Sequence, residues 1–308
     1  MTDAPRTSRW TAIAALTLAC ATWGYSFPLL SRAERGARDL LGGSEYAAGA
    51  WVVAARFLLA FAVVLPLPSV RRALRDRGLM RDAFWLAVPS AIASVLQTAA
   101  MRGVEPGANA FLTSLYTPLT PLFAWFLFRK RPSARVIAVL PLAGVGAWLT
   151  TDPRGEIGVH EIVVALASVG WAFQILLLDR FAPRHPPVPF AAGFCLWSGV
   201  FGLLFLVPLA PSPATWVDPL GTAEVVVPLI GLAVFCTVVT MSLLARYQPR
   251  LDPSRAALLY VLEPAFAALF SWMLMGERFG GWKGVGCALL LGSNVLVEVL
   301  PRRRRPTG

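Results

Sequence analysis

With 308 residues, 56% of them hydrophobic and 15% charged, and a mean hydropathy of +0.62, the chain is too apolar for a soluble domain, in which about a quarter of residues carry charge. Its net charge of +11 would suit nucleic acid on a soluble surface. Here the basic residues lie in short segments between apolar runs, a pattern that controls membrane topology and excludes a nucleic-acid partner.

A bilayer is crossed by about 20 apolar residues, and ten windows of roughly that length separate the charged clusters. They are 10–30, 47–66, 83–101, 107–128, 136–151, 162–178, 189–210, 222–245, 256–275 and 282–300. The first, preceded by Arg6 and Arg9, is too long for a signal-peptide core and is followed by similar segments, so it reads as a first spanning helix. Cys20, Cys195, Cys236 and Cys287 are scattered singly in apolar runs, with no CxxC spacing, and read as small apolar filler rather than metal ligands or disulfides.

The loops test the count. With the N-terminus cytoplasmic, the outer side carries Arg32, Arg35, Arg38, Arg102, Arg154, Arg278 and Lys283. Arg56 lies inside the second window, and the other 20 of the 28 basic residues fall on the cytoplasmic side. That asymmetry predicts both termini in the cytoplasm and an even number of helices.

The chain also contains a partial copy of itself. Residues 108–128 align without gaps to 254–274, placing Ala110 on Ala256, Pro118 on Pro264 and Phe126 on Trp272. Residues 18–27 align to 166–175, placing Trp23 on Trp171. The offsets, 146 and 148, agree closely. Five helices per copy make the second copy cross in the opposite sense, the arrangement of alternating-access transporters with a substrate site at the repeat interface.

The stretches WGYSFPLLSRA (23–33), WVVAARFLLA (51–60) and SRAALLYVLEPAFAALFSWMLMGE (254–277), with the Gly-rich helix that follows, resemble the EamA family of the drug/metabolite transporter superfamily. The resemblance covers essentially the whole chain, and the Leu262-Glu263-Pro264 helix ending in Gly276-Glu277 is its most specific part. It implies a ten-helix exporter or permease of small metabolites built from two inverted five-helix repeats. Such families carry amino acids, related metabolites or toxic compounds, and the motif does not identify the cargo. The first-half copy, Tyr116-Thr117-Pro118, lacks the acid. The proline-rich segment 179–189 is read as the hinge between repeats.

Candidate site residues follow from polar groups inside apolar runs. A charge near the middle of a membrane helix costs about 2.5–3.5 kcal/mol, so Glu263 and Arg56 need a purpose. Glu263 and Tyr260 share a helical face. Either that face lines a cavity, where Glu263 binds amino groups or carries a proton, or Glu263 is a hydrogen-bonding anchor beside the Pro264 kink. Arg56 either pairs with Glu263, meets backbone carbonyls, or snorkels from a helix that starts later than its window. Asn109, Thr113, Tyr116, Thr117 and Thr120 form one polar stripe, facing a wet cavity or bonding to other helices. Gln97 and Gln174 are weaker additions. Trp23 and Trp171, next to Ser26 and Gln174, are assigned to cavity lining over an interfacial belt.

Enzyme motifs are absent: His160 and His185 both fall in predicted loops, and no HExxH, GxSxG or Walker loop occurs. The sequence therefore predicts an all-α polytopic membrane protein with ten transmembrane helices as two inverted five-helix repeats, both termini cytoplasmic. Repeats at 1–152 and 153–301 precede a basic tail at 302–308. The expected function is secondary transport, export in particular, of small organic molecules across the cytoplasmic membrane, without cofactor or metal. Proton or ion coupling and oligomeric state are left open. The alternative is an uncoupled channel or sensor.

Overall fold

The computed structural model describes residues 9–129, 134–150, 158–210, 212–247 and 259–299, and among these it is helical throughout with no strand. The helices are α1 (Arg9–Leu40), α2 (Glu45–Val64), the short α3 (Pro68–Ala73), α4 (Arg77–Ala99), α5 (Pro106–Thr113), α6 (Tyr116–Phe128) and α7 (Ala134–Thr150). They continue with α8 (Val159–Phe181), α9 (Pro187–Leu206), α10 (Ala223–Ala233), α11 (Thr240–Tyr247), α12 (Leu262–Met275) and α13 (Gly281–Val299). Among the described residues seven stretches are long and apolar enough to cross a membrane, and two shorter apolar helices, Ile137–Thr150 and Leu262–Met275, add to them.

Local chemistry sets the helix ends. Ser44 caps α2 by accepting from the Ala47 N–H, and Asp76 caps α4 by accepting from the N–H groups of Gly78 and Leu79. Pro106 and Pro187 begin α5 and α9, where a missing N–H is harmless. Small residues then set which helices touch. The backbone of α9 at Gly202 lies so close to α2 that an added Cβ would stand 2.5 Å from the Ala54 nitrogen. In the same way α7 and α13 meet at Gly146 and Gly286, and α1 meets α12 at Gly24. α8 packs on α4 and on α5–α6, α1 packs on α10, and α9 packs on α4 as α10 does on α2.

Several sequence expectations shift. α1 continues to Leu40, so Arg32, Arg35 and Arg38 ride on helix rather than loop; Arg32 donates to the Leu274 carbonyl, and Arg38 pairs with buried Glu34. α8 spans Val159–Phe181, longer than its window, and carries His160 in its first turn rather than in a loop. The segment 179–189 is not a free hinge. α8 runs through it to Phe181, a 3-10 turn follows, and His185 sits 2.9 Å from buried Asp82 of α4, with Arg81 at 3.1 Å on the other carboxylate oxygen. Much of the charge tally, including Arg6, Lys130, Arg131, Arg154, Arg250, Arg255 and 302–305, lies outside the described residues, as does the start of the ninth window.

Candidate functional site

The fourth apolar segment is not one helix. α5 stops at Thr113 and α6 starts at Tyr116, with a turn at Ser114 and Leu115. The cause is Pro118: it has no N–H for the Ser114 carbonyl four residues back, and its ring crowds that carbonyl. The Ser114 carbonyl instead accepts from the Thr117 N–H at 3.0 Å, tightening the turn. The same break recurs in the ninth segment, where Val261, three residues before Pro264, is a turn residue and α12 begins at Leu262. Leu115 and Val261 are 146 residues apart, the offset of the sequence repeat.

Five of the expected site residues gather around these breaks. Glu263 lies in the first turn of α12, where the partial positive charge of the helix N-terminus favours a carboxylate. It is half-buried and within electrostatic reach of Tyr116 at the start of α6, of Tyr260 and of Cys20. Tyr260 is paired with the Trp23 ring, centroids 6.1 Å apart and tilted by 47°. Ser26, one turn along α1, donates to the Trp23 carbonyl at 2.6 Å, and the Cys20 thiol donates to the Leu259 carbonyl just before the break at 3.2 Å. Among the described residues Glu263 has no hydrogen bond or ion pair.

The others form a second group on the far side of the α5–α6 break. Trp171 of α8 donates its indole N–H to Gln97 Oε1 of α4 at 2.9 Å. Asn109 Nδ2 donates to the Gln97 carbonyl at 3.2 Å, and Thr113 donates to Asn109 Oδ1 at 3.3 Å. Gln174, three residues after Trp171 on α8, has an enclosed Oε1 with no hydrogen-bond partner among the described residues. Trp23 and Trp171 thus do corresponding work: each packs on residues of the other half, Tyr260 for one and Gln97 for the other. Thr120 turns back to the Tyr116 carbonyl and does not join the group. Two apolar hollows, one of about 30 Å³ bounded by Ala60, Cys195 and Met241, the other beside Phe111 and Trp272, touch none of these residues.

Arg56 stands apart. It is the twelfth residue of α2, so it is mid-helix and the late-start reading fails. Its Nε donates to Thr237 Oγ1 at 3.0 Å and Nη2 reaches the Cys236 carbonyl at 3.5 Å; it does not pair with Glu263. Both acceptors lie in Val234–Val239, a π-helical stretch between α10 and α11, near which the Thr237 and Thr240 hydroxyls bond carbonyls five residues back.

The model of the EamA-like transporter family matches residues 10–152 and 159–299. This chain belongs to the EamA-like transporter family. As an EamA-like chain it is similar to an uncharacterised transporter of Archaeoglobus fulgidus, 23% identical over 71% of this chain and 69% of that protein. It is also similar to the uncharacterised inner membrane transporter YicL of Salmonella typhimurium, 25% identical over 73% of this chain and 76% of that protein. A solved crystal structure of a protein 18% identical shares the fold, with a TM-score of 0.60 over 96% of this chain and all of that one. The EamA-like chain is therefore a multi-pass integral membrane protein of a transporter family. The segment 179–189 falls inside the second match, which places it within one half rather than between the halves.

One residue that sequence reasoning passed over is prominent in this EamA-like fold. Glu277, named in the sequence only as the end of the family-like stretch and given no role, is buried at 2% exposure and bonded to the start of α5. Its signal was an acid straight after a helix-ending glycine, with Lys283 six residues on.

Proposed function

We propose that the protein is a ten-span secondary transporter of small organic molecules, made of two inverted five-helix halves (1–152 and 153–301) and working by alternating access. Both termini, including the basic tail 302–308, lie in the cytoplasm; the membrane is the cytoplasmic membrane, and the direction is export. The observation that carries this reading is the pair of helix breaks at Leu115 and Val261, each three residues before a proline and separated by the repeat offset. Discontinuous helices at corresponding positions of two halves mark substrate sites in inverted-repeat transporters, because their free backbone groups need a polar partner within the bilayer.

Helix adjacency supports the two-fold relation. Contact of α1 with α12 has its counterpart in α8 with α5–α6, and α4 with α8 in α1 with α10; α2–α9 and α7–α13 map onto themselves. The two family matches, 10–152 and 159–299, divide the chain at the same place. With α13 added to the nine apolar stretches the count is ten. Trp23, Ser26, Gln97, Asn109, Thr113, Tyr116, Trp171, Gln174, Tyr260 and Glu263 line the substrate path in this reading. Arg56 instead braces α2 against the π-helical stretch.

The test is transport by purified protein in liposomes. Vesicles are loaded with a mixed panel of amines, amino acids and organic acids, and depletion with and without protein is read by mass spectrometry. Each hit is then tested for counterflow. Saturable, trans-stimulated exchange that is lost in Glu263→Ala or Trp23→Leu is the expected result. Flux that stays linear with concentration would replace the carrier with a pore.

A further inference from the structure

We propose that Glu277 is a positioning residue of the transport path: it latches the α12–α13 turn of one half onto the start of α5 in the other, and its release opens that end. This rests on the transporter reading above.

The latch is built from backbone geometry upward. Gly276 ends α12 in the left-handed region, φ 70°, where glycine carries no steric penalty. The turn it makes sends Glu277 back across the bundle to α5. There the carboxylate accepts from two backbone donors, Gly107 N–H on Oε2 at 2.7 Å and Ala108 N–H on Oε1 at 3.0 Å. These are unpaired donors of a helix start, which favour a negative group. Lys283, two residues into α13, approaches the same carboxylate at 2.9 Å, bonds Glu105 as well, and covers the Phe279 ring. Phe279 in turn packs edge-on against Phe111 of α5.

The source of the cap distinguishes a latch from ordinary bracing. α2 and α4 are capped by the adjacent residues, Ser44 and Asp76. α5 has an acid in that position too, Glu105, yet Glu105 makes no cap bond and is given over to Lys283. The cap comes instead from a residue 170 positions away. A cap supplied by the other half can be made and broken as the halves rock, whereas a local one cannot. The helix so held carries Asn109 and Thr113 of the polar group and ends at the Ser114–Leu115 break. Arg32 of α1 closes the same end by bonding the Leu274 carbonyl in the last turn of α12.

The experiment reads accessibility and needs no substrate. Thr113→Cys serves as reporter in a chain whose four native cysteines are replaced by alanine, and a membrane-impermeant maleimide is applied to each face of sealed vesicles. In Glu277→Ala, labelling from the face that bears Glu277 is expected to rise about tenfold, the ratio a lost charge-assisted hydrogen bond gives to a two-state equilibrium, while labelling from the opposite face falls. Glu277→Gln, which keeps one acceptor oxygen, falls in between, and Lys283→Met raises labelling less than Glu277→Ala does. Should Glu277→Ala not fold, a disulfide between Glu105→Cys and Lys283→Cys is expected to suppress labelling from that face only, reversibly with reductant. Labelling that is unchanged at both faces, in the alanine variant or in the cross-linked pair, overturns the latch. Counterflow of the parent protein in the same vesicles tests the transporter reading separately, so the two failures are told apart.

Discussion

Gly24 offers the most direct test of how close packing positions the site. It follows Trp23, and α1 crosses α12 there so closely that an alanine Cβ would stand 2.6 Å from Phe266 Cβ and 2.7 Å from the Ala267 nitrogen. Ordinary contact begins at 3.4 Å. Gly24→Ala must therefore drive the helices apart by about 0.7–0.8 Å, because a backbone nitrogen cannot rotate out of the way. Against backbone that cannot move aside, overpacking falls in the upper part of its usual range, about 2–3 kcal/mol, against a gain of about 1 kcal/mol from replacing glycine within a helix. The net is a loss of roughly 1–2 kcal/mol. At about 2–4 °C per kcal/mol for a chain of this size, the apparent Tm in detergent should fall by about 2–8 °C. The shift also separates Trp23 from Tyr260, so transport affinity should fall with stability. Gly144→Ala on α7 is the control: nothing stands within 4 Å of its added Cβ, so it should be neutral or slightly stabilising. If Gly24→Ala is as stable as Gly144→Ala, the close approach of α1 and α12 does not limit packing and the reasoning fails.

Three further outcomes are expected. Trp171→Phe orphans the enclosed Gln97 oxygen and should cost about 1–3 kcal/mol, whereas the double variant with Gln97→Leu should recover most of it; a double-mutant cycle on apparent Tm measures the coupling. Thr237→Val keeps the shape but removes the hydroxyl that Arg56 bonds, and should lose about 1.5–3 kcal/mol, restored in large part by adding Arg56→Met; additive losses in urea or heat unfolding would contradict the pairing. Glu45→Gln breaks the ion pair with Arg102, which is half exposed, so it should change stability by less than about 1 kcal/mol, with an effect that shrinks as salt is added.

The site was partly legible because the bilayer punishes polar groups selectively. Glu263, Tyr260, Trp23 and Tyr116 stand out against apolar neighbours, and the structure gathers them around the two helix breaks. Gln97, Asn109, Thr113 and Trp171 were legible singly, but their joining into a chain of hydrogen bonds was not. Arg56 shows the limit most plainly. Its charge is obvious in the sequence, whereas its acceptor lies in a π-helical stretch more than 170 residues away that no periodicity announces. Glu277 went without a role for the opposite reason: an acid at the end of an apolar run does not stand out, and only the glycine turn before it sends it inward.

What the sequence determined by itself is whatever the membrane dictates locally: helical class, the rough positions of apolar segments, the asymmetry of positive charge, and the repeat that places Pro118 and Pro264 in register. Those features depend on composition over one turn or one span. The tertiary structure decided which polar groups meet, namely Trp171 with Gln97, Arg56 with Thr237 and Glu277 with the start of α5. Each of these is a contact between distant helices, set by where small residues such as Gly24, Gly202 and Gly286 let backbones approach, and a geometry fixed by several helices at once cannot be read from any one of them.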